Sequence, residues 1–217
     1  MFTGLIETTG NVLSVEQREG SRRIAIAAPG ISLRTGDSVA VSGVCLTAVD
    51  LEPSLFHADL AAETVARTSL SLLAPGATVN LELPTPAGAP LGGHVVQGHV
   101  DATGTLLSLE PVDANAEAGI ADWWLRVAVP PQISRYMVEK GSIAIEGISL
   151  TIARWDPRTQ EVHVAIIPHT YARTNLHTLK AGQPVNIEAD VLIKFMEQRA
   201  LQPQFNLTLE YLIANGY

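Results

Sequence analysis

The feature that most constrains the fold of this 217-residue chain is an internal duplication. Residues 4–16 match residues 98–110, and three further blocks repeat in the same order. These blocks pair 41–47 with 145–151, 63–70 with 169–176, and 76–82 with 182–188. The offset between the copies grows from 94 to 106 residues, as expected when loops drift in length after a duplication. We therefore expect two similar domains, residues 1–97 and 98–189, followed by a helical segment at 190–217.

Each copy is rich in short β-type runs separated by glycine, proline and aspartate, a pattern typical of an all-β barrel or sandwich. In the first copy we predict strands at residues 11–15, 23–27, 38–41, 44–49, 55–60 and 78–82. We also predict a helical turn at 31–34 and a helix at 63–72.

The chain after residue 188 matches nothing in the first copy. Residues 189–201 carry apolar side chains at positions 191, 192, 195 and 196, which is the spacing of a helical stripe. A second short helix is predicted at 207–214. The apolar stripe either packs back on the barrels or pairs with copies of itself, and we expect oligomerisation.

Composition excludes several classes of protein. The net charge of −8 disfavours nucleic-acid or anionic-membrane partners, because both need clustered lysine and arginine. A single cysteine excludes an intrachain disulfide framework and a cysteine-based zinc cluster. No run approaches the roughly 20 apolar residues that cross a bilayer, and the N-terminus lacks the basic region of a signal peptide. We expect a cytoplasmic protein that binds neither nucleic acid nor membrane.

A stretch rich in glycine and histidine, residues 91–101, joins the two copies. Glycine permits close backbone approach, so a ligand would reach main chain here; alternatively, these glycines only turn the chain between domains. His94 and His99 lie five residues apart, and on a regular strand this odd separation places them on opposite faces. Since no carboxylate or cysteine joins them at ligand spacing, we predict no metal site.

Seven groups of residues resemble the riboflavin synthase family, in register over nearly the whole chain. They are 1–4, 43–47, 91–101, 139–142, 147–151, 167–170 and 185–190, and the ending 215–217 also fits. The resemblance implies two six-stranded Greek-key antiparallel β-barrels in tandem, plus a C-terminal α-helix that holds a homotrimer.

The resemblance also implies a reaction between two molecules of 6,7-dimethyl-8-ribityllumazine. One molecule gives a four-carbon unit to the other, and the products are riboflavin and 5-amino-6-ribitylaminouracil. The family needs no cofactor or metal for this reaction. The reacting pair would meet between the N-terminal barrel of one subunit and the C-terminal barrel of its neighbour.

The resemblance places one substrate pocket in each barrel. The first would be lined by Gly4, Leu5, Ile6, Cys45, Leu46, Thr47, Asp59, Leu60, Ala61, Ala62, Glu63 and Thr64. The second would be lined by Gly98, His99, Val100, Lys140, Ser149, Leu150, Thr151, Ile167, Pro168, His169, Thr170, Tyr171 and Ala172. The groups expected to take part in catalysis are His99, Cys45, Ser149, Thr151, Asp190, Ser38 and Lys140.

The chemistry requires two stacked heterocycles, loss of a ring-methyl proton and addition of a group to the partner ring. Cys45 and Thr47 lie two apart on one predicted strand and share a face, as do their counterparts Ser149 and Thr151. We interpret Cys45 and Ser149 as ring contacts or proton handlers. For Cys45 a covalent thiol and a small buried hydrophobe are the alternatives. His99 suits proton transfer because the ordinary pKa of histidine is about 6.5.

Other interpretations stay open at this point. His94 makes either a ligand contact or a structural hydrogen bond, and Lys140 and Asp190 are either site residues or solvated surface charges. Relatives of this fold bind lumazine or flavin as optical antennae without turning it over. A flavin domain of the ferredoxin-reductase kind is disfavoured, because Arg135-Tyr136 is not its Arg-x-Tyr-Ser motif. An association with lumazine synthase is a further possible partnership.

Overall fold

A computed structural model describes residues 1–113, 120–200 and 213–214, and its architecture is all-β with a few short helices. The strands of the first half are β1 (Thr8–Arg18), β2 (Ser21–Ala27), β3 (Ser38–Val41), β4 (Val44–Thr47), β5 (Val49–Glu52), β6 (Leu55–Ala61) and β7 (Thr78–Glu82). Those of the second half are β8 (Ala102–Pro111), β9 (Trp123–Ala128), β10 (Ser142–Ile145), β11 (Ile148–Thr151), β12 (Arg154–Asp156), β13 (Glu161–Ile166) and β14 (Pro184–Ala189). The helices are α1 (Ala62–Arg67), α2 (Pro131–Ser134), α3 (Pro168–Arg173) and α4 (Val191–Ala200), with 3₁₀ turns at Ser69–Leu72 and Asn175–Thr178.

The two halves have the same topology, which confirms the duplication read from the sequence. The strand order is β4-β3-β7-β1-β2-β6-β5 in the first sheet and β11-β10-β14-β8-β9-β13-β12 in the second. All pairings are antiparallel, and the last long strand of each half returns to lie beside the first, as in a Greek key. Contacts of β4 with β6, and of β11 with β13, curl each sheet on itself.

The predicted number of six strands per barrel is wrong, because each sheet has seven. The single strand predicted at 44–49 is two strands that meet at the buried residue Ala48, which exchanges hydrogen bonds with Gly36 and Asp37 instead. Asp50 then adopts a left-handed conformation with φ 45°, and the register of β5 on β6 shifts around it. A backbone kink of this kind is not visible in the hydrophobic pattern.

The predicted helical elements of the first half are only partly present. Residues 31–34 are not helical, because Ile31 and Leu33 alternate with exposed neighbours and pack an extended segment on the core. The helix predicted at 63–72 is interrupted at Thr68, whose φ of −126° and ψ of 160° are extended. Thus α1 and a 3₁₀ turn replace one continuous helix.

Each barrel encloses its own hydrophobic core. Ile24, Ile26 and Phe56 are fully buried in the first, and Leu125 and Ile143 in the second. Between them lies a third, smaller cluster, in which Phe2 pairs with Val96 as a β-bridge and packs with Ala40 and Ala144. The N-terminus and the stretch at 91–101 therefore lie side by side between the barrels.

The hairpins β3–β4 and β10–β11 touch at their tips. Both turns have two residues with positive φ, Ser42-Gly43 and Glu146-Gly147, as in a type I′ hairpin turn. A Cβ atom on Gly43 would lie 2.7 Å from the backbone nitrogen of Gly147. Glycine is therefore required at both tips, and the barrels meet through reciprocal contacts.

A network of buried polar side chains joins the barrels around these tips. The carboxylate of Glu146 accepts from the Asn186 amide nitrogen at 2.7 Å and from Asn175 Nδ2 at 2.9 Å. The side chain of Asn80 donates to Asn175 Oδ1 and Asn175 N donates back to Asn80 Oδ1, at 2.9 and 2.6 Å. Burial raises the pKa of Glu146, whose hydrogen-bond partners are uncharged.

The C-terminal prediction is confirmed where the structure describes it, since α4 spans Val191–Ala200. Its side chains Leu192, Phe195 and Met196 are largely exposed. The second helix predicted at 207–214 lies outside the described residues except for 213–214, which are helical. In the described part of the chain, no helix has the length and apolar character to cross a membrane.

Candidate active site

Two backbone hydrogen bonds cross between the halves and bring the predicted site residues together. The amide of Ser149 on β11 donates to the carbonyl of Gly4 at 2.8 Å. The amide of Cys45 on β4 donates to the carbonyl of Gly98 at 2.8 Å. Gly4 and Gly98 have φ values of 75° and 79°, and a Cβ atom on either would lie less than 3 Å from the facing strand. Only glycine permits this approach.

These hydrogen bonds bring the first residues of each repeat to the barrel of the other repeat. The N-terminal residues lie on the second barrel, where Ile6 packs against the core, and Val100 packs against the first barrel. We define the first half-site as β4 and α1 with residues 98–100, and the second half-site as β11 and α3 with residues 4–6. The crossing depends on contacts more than 50 residues apart in sequence, which a repeat alignment does not contain.

Two buried glutamates hold the crossing segments, and sequence reasoning missed both. Glu82 accepts from the amides of Thr3 and Gly4 at 2.6 and 3.0 Å, and from the Thr3 hydroxyl. Glu188 at the equivalent position accepts from three amides at 2.6–2.9 Å, those of Gln97, Gly98 and His99. Burial raises the pKa of both carboxyls, and the backbone amide donors oppose that rise. The repeated ending of 80–82 and 186–188, Asn-Leu/Ile-Glu, was the available signal.

Cys45 and Ser149 occupy equivalent positions, the second residue of β4 and of β11, and both side chains are half-buried. Cys45 is a free thiol that packs beside the Phe2–Val96 cluster. Thr47 and Thr151 share their faces and are exposed, as the spacing predicts. The side chains of Leu46 and Leu150 point the other way into the barrel cores, so only their main chain faces a half-site.

His94 is brought to the second half-site, where its Nδ1 lies 2.6 Å from Oγ of Ser149. The ring is buried, and burial lowers its pKa, although the nearby carboxylate of Asp190 opposes that shift. Its Nε2 has no hydrogen-bond partner among the described residues. The hydrogen bond considered for His94 exists, and its partner is a predicted site residue.

The expectation that His94 and His99 lie on opposite faces of one regular strand does not apply, because residues 91–101 do not form a strand. Only Val96 forms a β-bridge there within the described chain. His94 is buried beside Ser149, whereas His99 is exposed and is held by its backbone amide on Glu188. Among the described residues, no group of three or more histidine, cysteine or acidic side chains could hold a metal ion.

The remaining predicted residues of the first half-site lie on β6 and α1. The carboxylate of Asp59 is engaged by the Arg23 guanidinium through two bonds of 2.7 and 2.6 Å, which lower its pKa. Leu60 is fully buried in the core, so its side chain is not available to a ligand. The side chains of the α1 region are exposed or half-buried, and they belong to Ala61, Ala62, Glu63 and Thr64.

The corresponding segment of the second half-site is the start of α3. Its side chains are exposed or half-buried, and they belong to Ile167, Pro168, His169, Thr170, Tyr171 and Ala172. Leu5 is also exposed, and it lies against Gly92, where a Cβ atom would meet its side chain at 2.7 Å. Both segments thus present accessible side chains beside the half-sites.

Lys140 adopts a left-handed conformation with φ 65°, at the position where the first half has Gly36. A non-glycine residue in this region costs about 1–2 kcal/mol, so Lys140 carries a backbone strain that glycine at the equivalent position avoids. Ser38 lies on β3 directly opposite Thr47. Asp190 accepts from the Leu192 amide at 2.9 Å and caps the N-terminus of α4.

Comparisons with known proteins agree with this two-part architecture. A family model for the lumazine binding domain matches the chain twice, at residues 3–84 and 97–190. The chain is 38% identical over 224 residues to the riboflavin synthase of Actinobacillus pleuropneumoniae, and all of both chains is covered. It is 41% identical over 204 residues to the riboflavin synthase of Mycobacterium tuberculosis, which covers 91% of this chain and 97% of the relative.

Solved structures show the same fold at lower identity. LumP complexed with 6,7-dimethyl-8-(1'-D-ribityl) lumazine superposes with a TM-score of 0.75 at 21% identity. The alignment covers 87% of this chain and 99% of that one. At this identity the likeness extends to the fold alone.

Proposed function

Because the chain belongs to the riboflavin synthase family, we propose that it transfers a four-carbon unit between two molecules of 6,7-dimethyl-8-ribityllumazine. The donor becomes 5-amino-6-ribitylaminouracil and the acceptor becomes riboflavin. The two products together contain the atoms of the two substrates, so no outside oxidant or reductant takes part.

The observation that carries this proposal is the pair of crossed half-sites. Each combines a strand of one repeat with a glycine-containing loop of the other, through a backbone hydrogen bond of 2.8 Å. Two frames of the same shape suit two copies of one substrate. Holding two rings in a reactive arrangement supplies much of the rate in a reaction that has little other protein chemistry.

We assign ligand contacts to the accessible residues of both half-sites. The first would use Cys45, Thr47, main chain at 59–60, side chains at 61–64, and His99 and Val100. The second would use Leu5 and Ile6, Lys140, Ser149, Thr151 and side chains at 167–172. We place the limits of the two lumazine-binding domains at 1–97 and 98–189, which the two family matches support.

We assign proton transfer in the second half-site to His94 and Ser149. Burial lowers the pKa of His94, so the imidazole is neutral near pH 7 and able to accept a proton. Asp190 would favour the protonated ring by its charge, and Lys140 would provide a cation for a developing anion. In the first half-site, Ser38 and His99 would provide the polar groups that contact the ligand.

We further propose that the protein assembles as a homotrimer through α4. This helix exposes Leu192, Phe195 and Met196, an apolar face that a second copy of the helix would cover. The donor and acceptor half-sites would then meet between subunits, as in the family. A cytoplasmic location, where the Cys45 thiol stays reduced, and an association with lumazine synthase complete the proposal.

A non-catalytic lumazine-binding protein is the second candidate, and the fold shared with LumP favours it. The polar set of the second half-site argues for the enzyme, since His94, Lys140 and Ser149 exceed what holding a ligand requires. An antenna would bind the lumazine and leave it unchanged.

Incubation of the purified full chain with 6,7-dimethyl-8-ribityllumazine separates the two candidates. We expect riboflavin fluorescence to appear, with two lumazines consumed for each riboflavin formed, as measured by chromatography. Tight binding without product would support the antenna and overturn the enzyme.

A further inference from the structure

Two aromatic rings stack at the edge of the second half-site. The rings of Trp123 and Tyr171 lie nearly parallel, with centroids 3.9 Å apart and an interplanar angle of 10°. The ring of His177 lies edge-on to that of Tyr171, with the two ring centroids 6.3 Å apart. Trp123 is the first residue of β9 and faces Ile166, the last residue of β13, from which the chain leaves for α3. The stack therefore joins a barrel strand to the helix that forms one side of the half-site.

The C-terminal end of α3 is held, because the Thr174 hydroxyl donates to the Thr170 carbonyl at 2.7 Å and the buried residues Asn175 and Leu176 follow. Its N-terminal part is held less firmly. The helix has six residues, none of them buried, and no side chain of the described residues caps its N-terminus. A single helical turn and a half is not stable by itself in water, so its orientation depends on tertiary contacts. Both rings also pack on the core of the second barrel.

No hydrogen bond from the described part of the chain fixes the indole of Trp123. Trp123 Nε1 is buried and has no partner among residues 1–113, 120–200 and 213–214. The contacts that hold the ring are its stacking on Tyr171 and its packing on the core of the second barrel. Flat stacking of this kind contributes about 0.5–1.5 kcal/mol beyond the area buried.

The first barrel lacks this arrangement. By strand pairing and repeat offset, the counterparts of Trp123 and Tyr171 are Arg22 and Val65. The Arg22 guanidinium donates to the Ser71 carbonyl beyond α1 and to Gln17 Oε1 at 2.8 Å. These polar contacts are to residues outside α1. In the first half-site, no pair of stacked aromatic rings corresponding to Trp123 and Tyr171 therefore joins a barrel strand to the helix.

We propose that Trp123 is a positioning residue of the second half-site, which acts by fixing Tyr171 and with it the orientation of α3. The inference rests on the proposed function, since it takes the lumazine as the ligand. Trp123 itself need not touch the ligand. Loss of the stacking between Trp123 and Tyr171 should weaken ligand binding at the second half-site and leave binding at the first unchanged.

The test is calorimetric titration of the full chain with 8-ribityllumazine, which lacks both ring methyl groups and so binds without reacting, in wild type, Trp123→Leu and Trp123→Phe. We expect two binding steps in the wild type. In Trp123→Leu one step weakens by about tenfold, near the upper value of an aromatic pair, and the other step is unchanged. Trp123→Phe keeps a flat ring against Tyr171 and should restore most of the affinity.

Trp124→Leu is the matched control, because this neighbour on β9 is 40% exposed and points away from Trp123. It should leave both steps as in wild type. If Trp123→Leu does not fold, Trp123→Met takes its place, since it preserves apolar bulk without a ring.

Equal weakening of both steps, or no weakening, would overturn the positioning role. Failure of Trp123→Phe to restore the step would also overturn it, because the flat ring is what the proposal requires. A wild-type protein that binds no lumazine at all would instead refute the proposed function, so the two failures are distinguishable.

Discussion

The two barrels share a frame but differ in the side chains they place on it. Both have a glutamate at the end of the last strand that holds a crossing loop, and both have a glycine at each hairpin tip. The first half-site has the thiol of Cys45, whereas the second has the hydroxyl of Ser149 with a histidine against it. The two halves thus share the parts that shape the backbone, whereas the polar side chains placed at the half-sites differ.

The same contrast holds at the periphery of the half-sites. Lys140 replaces Gly36, and the aromatic pair of the second barrel has Arg22 and Val65 as its counterparts in the first. If the two half-sites bind identical molecules, these differences are what would make one molecule the donor and the other the acceptor. The following changes test this comparison.

The largest effect is expected for Glu188→Ala, which leaves three backbone amides without an acceptor. Charge-assisted bonds contribute roughly 1.5–3 kcal/mol each, so we expect about 4 kcal/mol of unfolding free energy to be lost after the gain from removing a buried charge. Glu82→Ala should cost a similar amount. Urea denaturation measures both.

The exposed Glu63, which pairs with Arg67 on α1, provides the control. Glu63→Ala should change the unfolding free energy by less than about 0.5 kcal/mol, because exposed ion pairs contribute little. A large loss in only one of the two buried variants would show that the halves are not held in the same way.

Removal of the His94 imidazole is expected to affect catalysis more than stability. We expect kcat of His94→Ala to fall by about 100-fold, the lower value for loss of an acid–base group. The measurement is the initial rate of riboflavin formation at saturating lumazine. His163→Ala, in the second barrel beside Glu161, should keep its rate. An unchanged kcat in His94→Ala would assign the bond to Ser149 a structural role.

Glu146 should make stability depend on pH, whereas its counterpart Ser42 cannot. Burial raises the pKa of Glu146 in the folded protein above 4.5, its value in the unfolded chain. The protonated carboxyl therefore makes its full contribution to the free energy of unfolding below pH 4.5. This contribution is lost as the pH rises through the pKa of the folded state, and the free energy of unfolding then falls by up to about 1.4 kcal/mol per pH unit.

Glu146→Gln should therefore gain stability relative to wild type as pH rises, when urea denaturation is repeated between about pH 4.5 and 8. Burial also raises the pKa of Glu82 and Glu188, but both remain in the variant and cancel in the difference. A difference that stays constant with pH would contradict the raised pKa.

The smallest effect is expected for Lys140→Gly, which makes the second half resemble the first. Relief of the left-handed strain, less the added entropy of the unfolded chain, should stabilise the protein by about 0.5 kcal/mol. If Lys140 contacts the ligand as we propose, lumazine binding should weaken, because a cation is lost. Thermal unfolding and ligand titration measure the two effects. Unchanged binding would show that Lys140 is a solvated surface charge and does not contact the ligand.

The sequence alone determined the duplication, the all-β class and the helical stripe of α4, whereas the candidate site residues came from the resemblance to a known family. These features are local, since strand periodicity, glycine turns and matched blocks can be read within a few residues. The split at Ala48 and the loss of a helix at 31–34 were misjudged, because packing on the core overrides weak local preference there.

Only the tertiary structure decided which loop serves which strand. Gly4 reaches Ser149 and Gly98 reaches Cys45 because two buried carboxylates hold the loops from behind and the hairpin tips meet at Gly43 and Gly147. The pairing of His94 with Ser149 follows from the same crossing. These contacts join residues far apart in the chain, and their geometry arises when the two barrels pack together, so no repeat pattern contains it.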